Sequence, residues 1–288
     1  MIIDAHYHLE EQMETVDALL EEMQQNNVKR VALIAKMQEP VHLQGFIKKA
    51  GDLLPRLLMS RARLLGLLLY NSTVTSDGRI STLGKKYLLF HKPDNEYIDN
   101  VIQAHPDKFY GWIFVNPKTS DPLAEVERWY GRQGWIGVKT HPFWHNFPVS
   151  MLDSVAEFCE EKKIPILMHL GSDPECGDYR YLPERHPQLR IIYAHAALPR
   201  FQEVWKYAKN KENIFVDLSS PLFTNEKILI GVIETLGAER CLYGTDGPYA
   251  NATQGRMINR ILRLHLSDNE REHIFGKNFL QLVPESGV

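Results

Sequence analysis

Asp4, His6 and His8 alternate in the opening stretch MIIDAHYHLEE, directly after an apolar start. In a β-strand alternate residues share a face, so these three polar groups are expected to point the same way. Two imidazoles on one face at the end of a buried strand are costly to leave unpaired, and a metal ion would pair them. A mobile terminus with solvated histidines has the same spacing, so the pair is weak evidence alone. Comparable places are held by His169 in ILMHLG, His195 in IIYAHAAL and Asp246 in LYGTDGPY, with Lys139 and His141 together in GVKTHP.

Each of these residues ends a short apolar run. The runs are IIDAHYH from 2, RVALIAK from 30, FYGWIFVNP from 109, WIGVKTHP from 135, IPILMHLG from 164, LRIIYAHAAL from 189, NIFVDLSS from 213 and RCLYGTDGPY from 240. They are rich in β-branched and aromatic residues without strict alternation, as expected of parallel strands buried on both faces. Between them, VDALLEEMQQNN, EYIDNVIQAH, LDSVAEFCEEKK, FQEVWKYAKNK and NEKILIGVIETLG space apolar residues three and four apart, the helical pattern. Several end in lysines, which suit the negative end of a helix dipole. Eight βα units fit a closed (β/α)8 barrel or an open doubly wound sheet. In an open sheet some of these strand ends would usually lie far apart. In a barrel the first and last strands are neighbours and all C-terminal ends ring one mouth. The expectation is therefore an α/β protein with a TIM barrel, one domain over 1–288, and a helical insertion after strand two at about 37–107. That insertion leaves the barrel at the mouth and is expected to form a flap over it.

The composition sets outer limits. Of 288 residues, 44% are apolar and 24% charged, as in globular proteins, and the net charge of −3 argues against nucleic acid and anionic membrane as partners. Three cysteines (Cys159, Cys176, Cys241) lack metal-type spacing and fit a reducing compartment. No signal-peptide pattern is visible, and LLGLLLY at 64–70 is too short to span a bilayer, so a cytoplasmic protein is expected. A homodimer is left open.

DAHYH, GVKTHP, ILMHLG, IIYAHAAL and LYGTDGPY, in that order, resemble the amidohydrolase superfamily. The nearest branch is the amidohydrolase-related one that includes aminocarboxymuconate-semialdehyde decarboxylase. Flanking pieces such as PERHPQLRIIYAH, NIFVDLSS and IFGKNFLQL agree, and the resemblance runs from residue 2 to about 283, weakest in the insertion. Two departures concern pocket shape: His195 is followed by two alanines where glycines are usual, and Gly247 stands where a bulkier residue is usual.

The resemblance implies that His6, His8, His169 and Asp246 hold one divalent metal. Imidazole and carboxylate ligands suit zinc first, with Mn, Fe or Co depending on supply. An open coordination position would activate a water; Asp246 would take its proton and pass it to the leaving group, and His195 would polarise the substrate carbonyl or steady the nucleophile. Lys139 and His141 would bind substrate. In two-metal relatives the strand-four lysine is carboxylated, whereas the single-metal branch implies an unmodified Lys139 amine. Asp4 reads equally as a partner of a ligand histidine or as a strand-start carboxylate. Hydrolysis of a small amide, lactone or ester is the first reading. A non-oxidative decarboxylase is the rival, with Lys139, Arg180 and Arg200 as candidate carboxylate anchors. A TatD-type nuclease ranks lower, because it would place a glutamate where Lys139 stands.

Overall fold

The computed structural model describes residues 1–40, 53–75, 78–82 and 85–283. Eight parallel strands run in the order β1 (Ile2–Leu9), β2 (Val28–Ala35), β5 (Phe109–Val115), β6 (Trp135–Thr140), β7 (Ile166–Met168), β8 (Ile191–Tyr193), β9 (Ile214–Asp217) and β10 (Cys241–Leu242). The eight apolar runs of the sequence all become these strands. The chain after β10 closes the barrel onto β1: Ala5 N–H donates to Tyr243 O (3.0 Å), Asp246 N–H to His6 O (2.7 Å) and His8 N–H to Gly247 O (2.7 Å). β10 itself is only two residues long, so closure rests on this irregular seam and not on a long ladder. The fold is an α/β TIM barrel.

Helices return the chain between strands, burying one stripe each. In Val16–Gln25 the buried pair is Leu19 and Met23, four apart, and the Thr15 hydroxyl caps the first turn at Ala18 N. Pro122–Trp129 starts with proline after the capping carboxylate of Asp121, a combination that suits a helix N-terminus. Inside the barrel, the Trp112 indole N–H donates to Ala5 O at 2.9 Å, tying β5 to β1. Gly137 on β6 makes room for that ring: a Cβ there would meet Pro165 O at 2.4 Å and the Trp112 ring at 2.8 Å.

The long gap after β2 is more varied than a helical insertion. Its described part holds a helical turn at 53–58, the helix Arg63–Asn71 and an antiparallel hairpin, β3 (Arg79–Thr82) with β4 (Lys85–Leu88), before the helix Asn95–Ala104. Residues 41–52, 76–77 and 83–84, which also belong to the expected insertion, lie outside the described residues. The helix Arg63–Asn71 is fastened to the barrel at the mouth: Arg63 pairs with Glu203 (2.9 Å), Tyr70 reaches Leu170 O (3.3 Å), and Asn71 bonds Ser172. Among the described residues, no helix is long and apolar enough to cross a membrane.

Candidate active site at the barrel mouth

His6 and His8 do converge, but Asp4 leaves their company. The pairing of β1 with β2 slips between Asp4 and Tyr7, so simple alternation fails there. The Asp4 carboxylate accepts from the backbone N–H of His6 and Thr245 (both 3.0 Å), and from the side chains of Thr245 and Gln254 (both 2.7 Å). It pins the loop that carries Asp246 onto β1, and among the described residues none of these bonds goes to an imidazole ring. Burial raises its pKa to about 6 against those four bonds.

The ring nitrogens show how the site is built. His6 Nδ1 lies 2.9 Å from Asp217 Oδ2, and His8 Nδ1 lies 3.5 Å from Ala35 O. Oxygen acceptors at Nδ1 put the proton there and leave both Nε2 atoms as bare lone pairs. Those two Nε2 atoms face each other at 3.3 Å, with Asp246 Oδ1 at 3.7 and 3.6 Å. Two imidazole lone pairs and a carboxylate oxygen converging at these distances form a donor set that a divalent cation would join. The arrangement therefore fits a divalent metal, with the outer ring nitrogens oriented as they are around metal-ligating histidines.

His195 follows the same pattern one step outward. Ser219 Oγ donates to Asp217 Oδ1, so it accepts from His195 Nδ1 at 2.8 Å. His195 Nε2 is then unprotonated and faces Asp246 Oδ2 at 3.9 Å. Asp217 joins the two histidines: one oxygen takes His6, the other takes the backbone N–H of His195 and of Ser219 (both 3.0 Å). No expectation from sequence singled out Asp217, although it ends the β9 run NIFVDLSS just as the other site residues end theirs. Both His195 (φ 53°) and Asp246 (φ 62°) hold left-handed backbone, as do Ala196 (φ 55°) and Ala197 (φ 72°), where glycines would be unstrained. Strain of this kind collects where a side chain must be aimed.

His169 is set slightly apart. The ligand atoms of His6, His8 and Asp246 lie within 4.8 Å of one another, and His169 is outside that cluster. Its ring is 4.9 Å from that of His195 and stacks on His141 at 4.0 Å. Its Nε2 lies 3.4 Å from Tyr70 Oη, while its Nδ1 is buried with no hydrogen-bond partner among the described residues. An orphaned buried nitrogen beside such a cluster is open to a metal. His141 accepts from Trp144 N–H at 3.1 Å and stacks on the Trp144 ring. Phe143 stacks on Tyr70, and Tyr249 lies 5.2 Å from His8, so aromatic rings wall the mouth.

Charge follows burial. The five mouth imidazoles (His6, His8, His141, His169, His195) are held neutral, chiefly by burial, with the Lys139 charge acting in the same direction. Neutral imidazole is the ligand and base form. Burial, reinforced by the Asp217 charge, raises Asp246 to about 8; burial lowers Lys139 to about 8 against the attraction of Asp217 and Asp246. A cation among the ligand atoms would hold Asp246 ionised. The other candidate anchors are engaged elsewhere. Arg200 donates to Ser172 O (2.7 Å), Asp173 O (3.1 Å) and Glu203 (3.1 Å), and Arg180 lies over the Tyr179 and Tyr207 rings. An open groove of about 830 Å³ lies outside the barrel along the helices Phe201–Ala208 and Glu226–Leu236, and none of the strand-end residues lines it.

Comparison with known proteins agrees with this architecture. A search of curated proteins finds no match. Among solved structures, an uncharacterised TIM-barrel protein of Bordetella bronchiseptica superposes with a TM-score of 0.64 at 16% identity, covering 100% of this chain and 99% of its own. A 4-oxalomesaconate hydratase from Rhodopseudomonas palustris gives 0.58 at 15% identity, over 99% and 96%. A dihydroxybenzoic acid decarboxylase from Polaromonas sp. JS666, with bound manganese and the inhibitor 2-nitroresorcinol, gives 0.56 at 14%, over 98% and 96%. Likeness at such identities establishes the fold. The family model for amidohydrolases matches residues 77–283, a span holding Lys139, His169, His195, Asp217 and Asp246. With most of its length inside that match, and β1 bringing the histidine pair to the same mouth, this chain is an enzyme of the amidohydrolase family.

Proposed function

We propose that the enzyme is a metal-dependent hydrolase of a small carbonyl compound, an amide, lactone or ester, with His6, His8, His169 and Asp246 as ligands of one divalent ion. A bound zinc or manganese ion would lower the pKa of a water and polarise a carbonyl oxygen. The observation that carries the reading is the pair of proton acceptors turned toward one another, Asp246 Oδ2 and His195 Nε2, 3.9 Å apart. Hydrolysis needs a base for the attacking water and an acid for the leaving group. Asp246 takes the first proton and returns it to the leaving atom. His195, neutral with its proton on Nδ1, takes a second proton at Nε2, and polarises a carbonyl only in that charged state. Asp217 and Ser219 hold its ring in register. Lys139 remains a free amine and, with His141, binds the substrate.

A decarboxylase is the second reading, favoured by the buried Lys139 cation, which would hold one substrate carboxylate. With Arg200 and Arg180 engaged by other partners, neither supplies a second anchor. A panel of lactones, amides and unsaturated or aromatic carboxylates, turned over in oxygen-18 water, separates the two. Label entering the organic product is expected. Release of CO2 without label in that product would overturn the hydrolytic reading.

A further inference from the structure

We propose that Tyr70, carried by the insertion and not by the barrel, is the positioning residue that turns His169 into a metal ligand through Nδ1. The inference rests on the reading of His169 as a ligand. The Tyr70 phenol is buried at 3% exposure, and its ring is fixed by stacking on Phe143 at 4.3 Å. Its oxygen has two neighbours, Leu170 O at 3.3 Å and His169 Nε2 at 3.4 Å. A carbonyl can only accept, so the Tyr70 O–H donates to Leu170 O, and the phenol oxygen in turn accepts from His169 Nε2–H. This chain of donors places the imidazole proton on Nε2. The lone pair is left on Nδ1, the nitrogen that is buried without a partner.

The same logic fixes the other rings, with a different nitrogen and a different source. His6 is held by Asp217 and His8 by Ala35 O, both at barrel strand ends. For His169 the holding oxygen comes from the helix Arg63–Asn71, which is also tied by Asn71 to Ser172, just beyond β7. Outer partners of this kind typically set metal affinity within a factor of 10–100. Seating of the insertion and binding of the metal are therefore coupled, and each strengthens the other.

Tyr70→Phe keeps the stacked ring and removes the oxygen. Zinc affinity of the full chain, read by competition with a chromophoric chelator, is expected to fall about 10- to 100-fold. The cobalt-substituted spectrum should shift, while the metal-free chain still melts in one cooperative transition, lowered only as far as loss of the bond to Leu170 O requires. Histidine ¹⁵N NMR of the metal-free wild type gives a reading that needs no variant: His169 should carry its proton on Nε2. His169→Ala serves as the control for the underlying site. If His169→Ala loses the metal while Tyr70→Phe binds within twofold of wild type with an unchanged spectrum, the role of Tyr70 is overturned and the metal site stands. If His169→Ala binds as wild type, the ligand reading of His169 falls and the inference with it. A proton found on His169 Nδ1 in the wild type would also overturn it.

Discussion

Asp217 holds two of the residues whose chemistry drew attention first, His6 and His195. One carboxylate fixes the His6 tautomer, and the other oxygen holds the turn that aims His195. Asp217→Asn keeps the shape but places an N–H donor against one of these donors. Metal affinity measured by equilibrium dialysis should drop about 10- to 100-fold, as for other outer partners of ligand histidines; unchanged affinity would mean that His6 keeps its orientation without help. At this scale the sequence was informative where a histidine or carboxylate ended an apolar run, and His6, His8 and Asp246 do meet. The same rule applied to NIFVDLSS picks out Asp217, which was passed over because a lone strand-end aspartate carries no spacing signal. Asp4 was illegible for another reason. Its side chain is redirected by a register slip that depends on the β1–β2 pairing, and no local pattern marks that slip. Tyr70 depends on a contact 99 residues away in sequence, which periodicity cannot show.

The strands were readable as elements because burial on both faces requires continuous β-branched and aromatic runs. Their ends were less so: β8 and β10 are three and two residues long, shorter than the runs that announce them. The hairpin β3–β4 escaped notice since Lys85, Lys86, Tyr87 and Leu88 are partly or fully exposed and show no apolar face. Between elements, the helix Val16–Gln25 meets the start of Gln254–Leu262 through Glu22, which accepts from Gln254 N–H at 2.9 Å. Burial, aided by the Glu14 charge, raises Glu22 to about 7 from an ordinary value of 4.5. A carboxyl whose folded pKa is raised contributes stability that is fully present below its unfolded value and is lost as pH rises through the folded one. Glu22→Gln keeps the acceptor and removes the titration. Its melting temperature should match wild type at pH 4.5 or below and exceed it above pH 8. Parallel melting curves across that range would show no site-specific burial cost at Glu22.

For the molecule as a whole, the barrel was inferred from the residues it gathers: only closure brings the first strand's histidines to the last strand's aspartate. The structure adds how closure is made, by backbone bonds from β1 to Tyr243–Gly247 and by Asp4 clamping the same loop. The seam that completes the barrel is thus the seam that carries His6, His8 and Asp246, three of the four proposed ligands. On the proposed reading metal binding and barrel integrity share these contacts, and a single metal requires Lys139 to stay an amine. Anomalous diffraction at the metal edge, on crystals of the full chain loaded with zinc or manganese, tests this most directly. The account predicts one ion per chain, at roughly 2.0–2.2 Å from His6 Nε2, His8 Nε2, His169 Nδ1 and the Asp246 carboxylate, with no added density on Lys139. An ion bound away from these residues, or two ions bridged by a carboxylated Lys139, would contradict it.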